Sequence, residues 1–553
     1  MTAQTDTVAY DSGESVPYVD SRIYTDQNIF EEELDKIWKK VWLVAVHESE
    51  LPKPLDFRTL TVAREPIVIV RGSDNKVRAF LNVCPHRGNL IIRQPAGSLT
   101  VAEPSGNANR MTCMFHAWQF DSFGRCVDIP RAKAGYQDRL KKEDVSLTEF
   151  PCKEAHGGFV WISLDKKAEP LSDYIGSAFD IMKQELDTEP LTVFHYHKAI
   201  ISSNCKLWHD TNSEFYHDYM HYFNRATSML QKGYFERQYT AFPNGHCTVG
   251  SMEVKYDAYQ GAADRVLSFP GMPRNGWKMV DLFPGATYNI RGSSLRVDTM
   301  TPLGPDKVMI EFRGLGLRRD TPEEQAQRVR DHNSIWGPFG RNLHEDLLGI
   351  TGQGVSMRPG STPRRILHGR REGAPDLTKS GRLGMNIVAQ GKPKTMEGAI
   401  TDVIYRACLL LDDQKFMEWL DLCAPEFSYR ITTYSPEIRR QMTWYEQDTA
   451  GLKGMIEMLP KHNTDHGRLT RHVTVYTVDV GSLQGEASAV SSFACYRTMV
   501  DGINAHIDSG ETQLFLIGRY YDRFTLGKHG PRFLERNVVL DTRRLDKGSH
   551  YPI

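Results

Sequence analysis

The stretch TDQNIFEEELDKIWKK places Phe30, Leu34, Ile37 and Trp38 at helical spacing, which predicts an amphipathic helix with one buried face. From residue 43 to about 164 the pattern shortens to that of strands. IVIVRG and KVRAFLNV are β-rich runs joined by Ser73, Asp74 and Asn75, as in a hairpin of a small β domain. Between about 172 and 382 helical and strand patterns mix, and VMIEFRGLGL reads as a strand entered through Pro302, Gly304, Pro305 and Asp306. The polar run 384–395 has few side chains able to anchor a core and reads as a linker. Beyond it, Ile400, Val403, Ile404, Ala407 and Leu411 share a helical face, and Phe416, Leu420 and Cys423 continue the pattern in a second helix. Strands follow: Val473 and Val475 alternate with His472, Thr474 and Tyr476, and GEASAVSSFACYRTMV, TQLFLIGRYYDRF and RFLERNVVLD are long β-rich runs. Helices on a curved antiparallel sheet are expected there.

These patterns predict an α+β multidomain chain. A helical segment, 1–42, packs on the central domain; a β domain spans 43–165, a mixed domain with an antiparallel sheet 166–383, a linker 384–395, and a C-terminal α+β domain 396–553. Length supports several cores, since the 553 residues exceed what one ordinary domain holds. With 40% hydrophobic residues, 25% charged residues and a formal net charge of -1, no global field attracts nucleic acid or anionic lipid. The first residues are polar and acidic, without a secretory or transit pattern, and no apolar run reaches the roughly 18 residues of a membrane span. The nine cysteines are odd in number and scattered, which argues for reduced thiols and a cytoplasmic location.

The chemistry concentrates in two places. The first is Cys84-Pro85-His86-Arg87-Gly88 with Cys113-Met114-Phe115-His116-Ala117-Trp118. A CxH and a CxxH each put two metal-binding donors at a loop tip, and two such tips make a four-ligand cage. A structural zinc site uses the same donors. The motif CxHRG followed by CxxHxW, continued by QFDSFGRCVDIP, resembles the Rieske ferredoxin domain of ring-hydroxylating and related oxygenases. By this resemblance Cys84 and Cys113 hold one iron of a [2Fe-2S] cluster and His86 and His116 the other. Neutral imidazoles in place of thiolates raise the potential to about -150 to +300 mV, against about -400 mV for plant-type ferredoxins. Arg87 and Trp118 are candidates for orienting the loops, with a purely structural role open for both. Residues 87–112 make the interval between His86 and Cys113 26 residues long, and the loop-like QPAGSLTVAEPSGNANR supplies much of it. Such a long interval resembles the methanesulfonate monooxygenase branch of the family.

The second place is NCKLWHDTNSEFYHDYMHYFNR, residues 204–225. His217 and His221 are four apart, so on a helix both imidazoles face one way and can reach one ion. By itself such a pair is commonplace. The segment resembles the Rieske oxygenase catalytic motif, matched by Asn204, Lys206, Glu214, His217 and His221, while Cys205 replaces a usual Trp and Glu214 a usual Asp. The resemblance implies that His217 and His221 bind a mononuclear non-haem Fe(II), that Asn204 belongs to the catalytic segment, and that Glu214 bridges electrons between neighbouring subunits. The remaining carboxylate is expected from RNLHEDLLGITGQG, with Asp346 as the third ligand and Glu345 as runner-up. Open positions on such an iron would admit O2.

No GxGxxG opens a helix after a strand, so the chain has no nicotinamide or flavin site of its own. A separate NAD(P)H-dependent reductase, with or without a ferredoxin, is then required. The basic run with Arg358, Arg364, Arg365, Arg370 and Arg371 is either a solvated loop or a docking surface for an acidic partner or anionic substrate. The C-terminal part, with GRYYDRF and RNVVLDTRRL, resembles the small β subunit of these oxygenases. The resemblance implies a helix-grip type catalytic domain, a cone-shaped, NTF2-like C-terminal domain fused to the large subunit, and a homotrimer. The expected activity is O2-dependent hydroxylation of a small anionic organic substrate, an organosulfonate first. Dihydroxylation of an aminobenzenesulfonate or aromatic carboxylate is the alternative, and an iron-sulfur electron carrier without oxygenase activity the distant one.

Overall fold

The computed structural model of the chain describes residues 18–101, 107–137, 139–214, 216–221, 239–253, 267–273, 276–357, 364–366, 395–463, 466–483, 485–500, 505–528 and 530–553. Near the start, the Asp26 carboxylate accepts from the Asn28 and Ile29 amides and caps the helix Gln27–Glu33. The helix then widens into a π turn, Leu34–Trp38, and buries Phe30, Leu34 and Trp38. Trp38 lies so close over the central sheet that a Cβ at Gly285 would stand 2.9 Å from its ring.

In the β domain the expected hairpin pairs Glu65–Arg71 with Val77–Leu81, inside a five-stranded sheet. Part of the long interval read as loop is a strand: Ala96–Ser98 pairs with Asp56–Arg58 at the edge of that sheet. Residues 102–106 of the interval lie outside the described residues. A small sheet of Met111–Thr112, Gln119–Phe120 and Cys126–Asp128 carries the second Cys/His loop.

The central domain is a seven-stranded antiparallel sheet. In spatial order it runs Leu191–Ile201, Lys307–Leu317, Ser294–Gly304, Ala286–Arg291, Gly276–Leu282, Cys247–Glu253 and Tyr239–Ala241. The expected strand at VMIEFRGLGL and its turn form the hairpin Ser294–Gly304 with Lys307–Leu317. Side chains alternate between faces, and the helices Cys205–Glu214 and Pro322–Trp336 cover the face bearing Asp281, Arg296 and Asp298. Leu343–Met357 packs on Cys205–Glu214.

The C-terminal domain packs the helices Met396–Asp412 and Thr449–His462 on a six-stranded sheet. That sheet is not wholly antiparallel as expected: Cys423–Ser435 pairs in parallel with Gly530–Leu540. Alternation in a sequence reports which face a residue takes, not strand direction. Cys423 is also corrected: the second helix is only Phe416–Leu420, and Cys423 opens the next strand, since apolar spacing over one turn does not distinguish the two. The linker 384–395 lies outside the described residues up to Thr395, which caps the following helix. The basic run lies outside them too, apart from Arg364–Ile366, a short strand paired with Tyr18–Asp20. No helix among the described residues is long and apolar enough to cross a membrane.

Two seams join the parts. The strand Arg440–Asp448 packs against Leu191–Ile201, with the Trp444 ring 5.8 Å from His197 and 6.4 Å from His195. Across the other, Glu50 of the β domain lies 2.8 Å from Arg58 Nε and 2.8 Å from Arg313 Nε of the central sheet, all three fully buried. Burial alone would raise the Glu50 carboxyl, but Arg313 and Arg58 overcome it and hold it at about 2. Glu50→Ala should therefore cost about 3–5 kcal/mol in urea unfolding, because two guanidinium groups lose their counter-charge. The depressed carboxyl stabilises the fold above the ordinary Glu range, and that contribution is lost as pH falls toward about 2. Acid titration of Glu50→Gln should show a flatter stability loss in this window, and an unchanged acid limb would contradict the assignment.

Candidate metal centres

The two Cys/His loops share one backbone plan. In the first, the Gly88 amide donates to Cys84 O at 2.9 Å and the Cys84 amide to Asn89 O at 2.8 Å. In the second, Ala117 donates to Cys113 O at 2.8 Å and Cys113 to Trp118 O at 2.9 Å. The residue four beyond each cysteine turns left-handed, Gly88 at φ 71° and Ala117 at φ 56°. That turn reverses the chain tightly enough to bring each cysteine and its histidine to one tip.

The tips meet. The His86 and His116 rings are 4.4 Å apart, and Trp118 stacks on His86 at 4.9 Å with planes 2° from parallel. Tyr136 Oη lies 3.2 Å from His86 Nε2, while His86 Nδ1 is buried with no hydrogen-bond partner among the described residues. Cys84 and Cys113 are buried, and the Asn89 amide donates to Cys113 Sγ at 3.8 Å. Burial, reinforced by the neighbouring Cys113, pushes the Cys84 thiol up to about 11. A thiolate there needs a cation, and a bound metal ion supplies it. Burial, with the charges of His116 and Arg87, holds His86 below the usual imidazole range, in the neutral form that ligation requires. Two thiols, two imidazoles and an orphaned ring nitrogen fit a four-ligand metal group. Arg87 is exposed, whereas Trp118 is part of the cage wall. Tyr136 was invisible in the sequence because it arrives on a separate helix, Ala132–Tyr136.

The second centre differs from expectation in its local backbone. The α-helix Cys205–Glu214 ends before the histidines; His217 sits in the 3-10 turn Tyr216–Tyr219 and His221 follows it. The rings nevertheless lie 5.7 Å apart. The carboxylate arrives from the helix Leu343–Met357: Asp346 Oδ1 is 3.0 Å from His221 Nε2 and 3.5 Å from His217 Nε2. Among the described residues Asp346 Oδ1 accepts no well-angled hydrogen bond despite these contacts. Glu345 takes the other side, with Oε2 2.6 Å from His221 Nδ1. The adjacent acids thus divide their work: Asp346 meets both histidines at Nε2, and Glu345 orients one of them. Burial alone would lower His221, but Asp346 and Glu345 raise it to about 10. A positive charge is favoured there, from a proton or from a metal ion.

Asp218 was not singled out by the sequence, yet its carboxylate, His217 and His221 offer donor atoms within 4.8 Å of one another. Asn204 is not brought to the histidines. Its Oδ1 accepts from the Lys206 amide at 3.0 Å and its Nδ2 donates to Pro305 O at 2.7 Å, which makes it the cap of this helix. Glu214 ends the helix, and its side chain lies outside the described residues. Cys205 is buried in the core, and Lys206 pairs with Glu33 at 2.8 Å. Toward the sheet, Asp281 accepts from Ser213 at 2.6 Å and lies 2.6 Å from His209 Nδ1. Burial, opposed by Arg296, lifts the nearby Asp298 carboxyl to about 7.

The division of labour between the acids is testable by titrating metal-free protein with ferrous iron. Asp346→Ala should lose the mononuclear site, whereas Glu345→Gln should weaken it by about 10–100-fold. Equal losses would contradict the geometry.

Residues 41–151 match the Rieske [2Fe-2S] domain family, and residues 395–537 the SnoaL-like domain family. The alpha subunit of the methanesulfonate monooxygenase hydroxylase of Methylosulfonomonas methylovora is 62% identical over 356 residues, 64% of this chain and 86% of that subunit. The beta subunit of that hydroxylase is 50% identical over 155 residues, 28% of this chain and 86% of that subunit. The alpha subunit of a 2-aminobenzenesulfonate 2,3-dioxygenase from Alcaligenes sp is 41% identical over 352 residues, 63% of this chain and 87% of that subunit. Naphthalene 1,2-dioxygenase from Rhodococcus sp. shares the fold, with a TM-score of 0.53 at 20% identity over 62% of this chain and 82% of that one. With alpha-subunit and beta-subunit likeness continuous in a single polypeptide, this chain belongs to the Rieske non-haem iron oxygenases and carries their [2Fe-2S] cluster and mononuclear iron.

Proposed function

We propose that this chain is the terminal oxygenase of a multicomponent system that hydroxylates a small organosulfonate at the carbon bearing sulfur. The observation that carries the reading is the pair of identities, 62% and 50%, to the two subunits of one methanesulfonate monooxygenase hydroxylase. In the reaction one oxygen atom of O2 enters a C–H bond, and the other leaves as water with two electrons and two protons. Dihydroxylation of an aminobenzenesulfonate is the second reading, supported by the 41% identity to that dioxygenase. Both relatives are named for sulfonates.

The geometry supports the following residue roles. Cys84, Cys113, His86 and His116 are the cluster ligands, and His217, His221 and Asp346 hold the mononuclear iron. When bound, the cluster delivers single electrons and the iron provides the place where O2 is reduced. Tyr136 engages His86 Nε2, leaving Nδ1 for the cluster. Glu345 holds the proton on His221 Nδ1, so that Nε2 keeps its lone pair for the metal. Glu214, at the end of the helix leading to the histidines, is our candidate for the electron bridge between subunits of a homotrimer. An NAD(P)H-dependent reductase, directly or through a ferredoxin, supplies the electrons in the cytoplasm. The working divisions are a helical segment at 1–42, the Rieske domain at 43–165, the catalytic domain at 166–383, a linker at 384–395 and the β-subunit-like domain at 396–553.

The test supplies the purified protein with a reductase and NADH, then follows O2 uptake and products over alkanesulfonates, aminobenzenesulfonates and aromatic carboxylates. Methanesulfonate should stimulate O2 uptake with stoichiometric product. Asp346→Ala should keep the Rieske absorption and lose product formation. Turnover confined to aromatic substrates would favour the second reading, and product from Asp346→Ala would move the ligand role elsewhere.

A further inference from the structure

Strand Ala286–Arg291 ends in Arg291, and its neighbour Ser294–Gly304 carries Arg296. The register sets Asn289 opposite Arg296 and Arg291 opposite Ser294, so both guanidinium groups rise from one face of the sheet. That face meets the helix leading to the histidines: Arg296 Nη2 is 3.5 Å from Asn212 Oδ1, and its Cζ lies 5.9 Å from the Trp208 ring. Both arginines flank Trp336, with Cζ to ring-centre distances of 5.1 Å for Arg296 and 5.6 Å for Arg291. The Trp336 ring thus engages both cations on this face of the sheet.

Among the described residues their charges are only partly met. Arg296 pairs, among the described residues, with the Asp298 carboxylate, 2.9 Å from Nη2, while its Nε is buried without an acceptor. For Arg291, Nε and Nη1 are both buried without an acceptor, and no ion pair forms among the described residues. The two side chains belong to residues only 7% and 3% exposed. A guanidinium cannot shed its proton, and burying one is costly unless an anion meets it. The group that would meet them is itself an anion with several oxygens, able to accept from two planar forks at once.

Resting on the reading of this chain as a sulfonate oxygenase, we infer that Arg291 and Arg296 form the clamp that holds the substrate's sulfonate beside the mononuclear iron site. A sulfonate suits it: three equivalent oxygens, one charge, and no protonation in the working pH range. The clamp also explains why the sheet keeps a cation with no ion pair among the described residues. Binding energy spent on the sulfonate is uniform through the reaction, so the clamp acts on substrate capture rather than on the chemical step.

The experiment compares the holoenzyme with Arg291→Gln, Arg291→Lys and Arg296→Gln, using methanesulfonate as substrate and calorimetric ligand. Arg291→Gln should raise KM and Kd by about 10–100-fold, the loss of a charged hydrogen bond, with kcat little changed. Its melting temperature should stay level or rise, because an uncompensated buried charge is removed. Arg291→Lys keeps the charge without the fork and should fall between. A merely structural Arg291 would instead lower the melting temperature and leave KM unmoved. Sulfonate oxidation with wild-type KM in both glutamine variants would overturn the clamp while leaving the proposed function standing. A wild-type enzyme that oxidises no sulfonate would overturn the substrate reading, and the clamp with it.

Discussion

Three donor atoms from segments more than a hundred residues apart must converge on one buried point, and the seven-stranded sheet makes this possible. His217 and His221 follow the helix that lies on the sheet, and Asp346 comes from a helix packed on that first one. A buried imidazole or carboxylate left without a partner is costly, so the arrangement persists only if the surrounding packing is rigid. Hairpins with a fixed register provide that rigidity, and the Glu50 ion pairs tie the electron-entry domain to the same sheet.

Much of this was legible in the sequence where chemistry is local. The Cys/His loops are short clips whose cysteines, histidines, turn residue and neighbouring Trp118 all lie within a few positions, so spacing alone marks the loops. The same holds for hairpins such as Glu65–Arg71 with Val77–Leu81. What depended on tertiary context was hidden. Tyr136 reaches His86 from a separate helix, and Asp218 looks like any acid in a polar segment until its neighbours are placed. The i, i+4 histidines suggested an α-helix, yet a tighter turn presents them equally well. Asn204 is a motif residue whose visible work is capping a helix.

Fusion of the two subunit-like parts has structural consequences at the seam. Asn333 donates to Thr443 O, and Lys198 pairs with Glu437 at 2.9 Å, so the catalytic sheet and the C-terminal sheet share one boundary. The chain then returns: the Arg497 guanidinium donates to Gly548 O at 2.7 Å, the Ser549 amide donates to Pro338 O at 3.3 Å, and the His550 ring lies 3.8 Å from His344, two residues before Asp346. The C-terminal domain therefore braces the helix that carries Asp346. Such a brace explains how a domain without metal-binding motifs of its own contributes to an oxygenase.

Two distinct iron stations in one chain, one ligated by mixed sulfur and imidazole and one by imidazole and carboxylate, underlie everything above. Pulsed electron paramagnetic resonance on anaerobically reduced protein, with iron counted on the same sample, tests for both most directly. Nitrogen couplings from two histidines on the reduced cluster, with three irons per chain, are the predicted result. A reduced cluster without nitrogen coupling, or a cage filled by zinc, would contradict it.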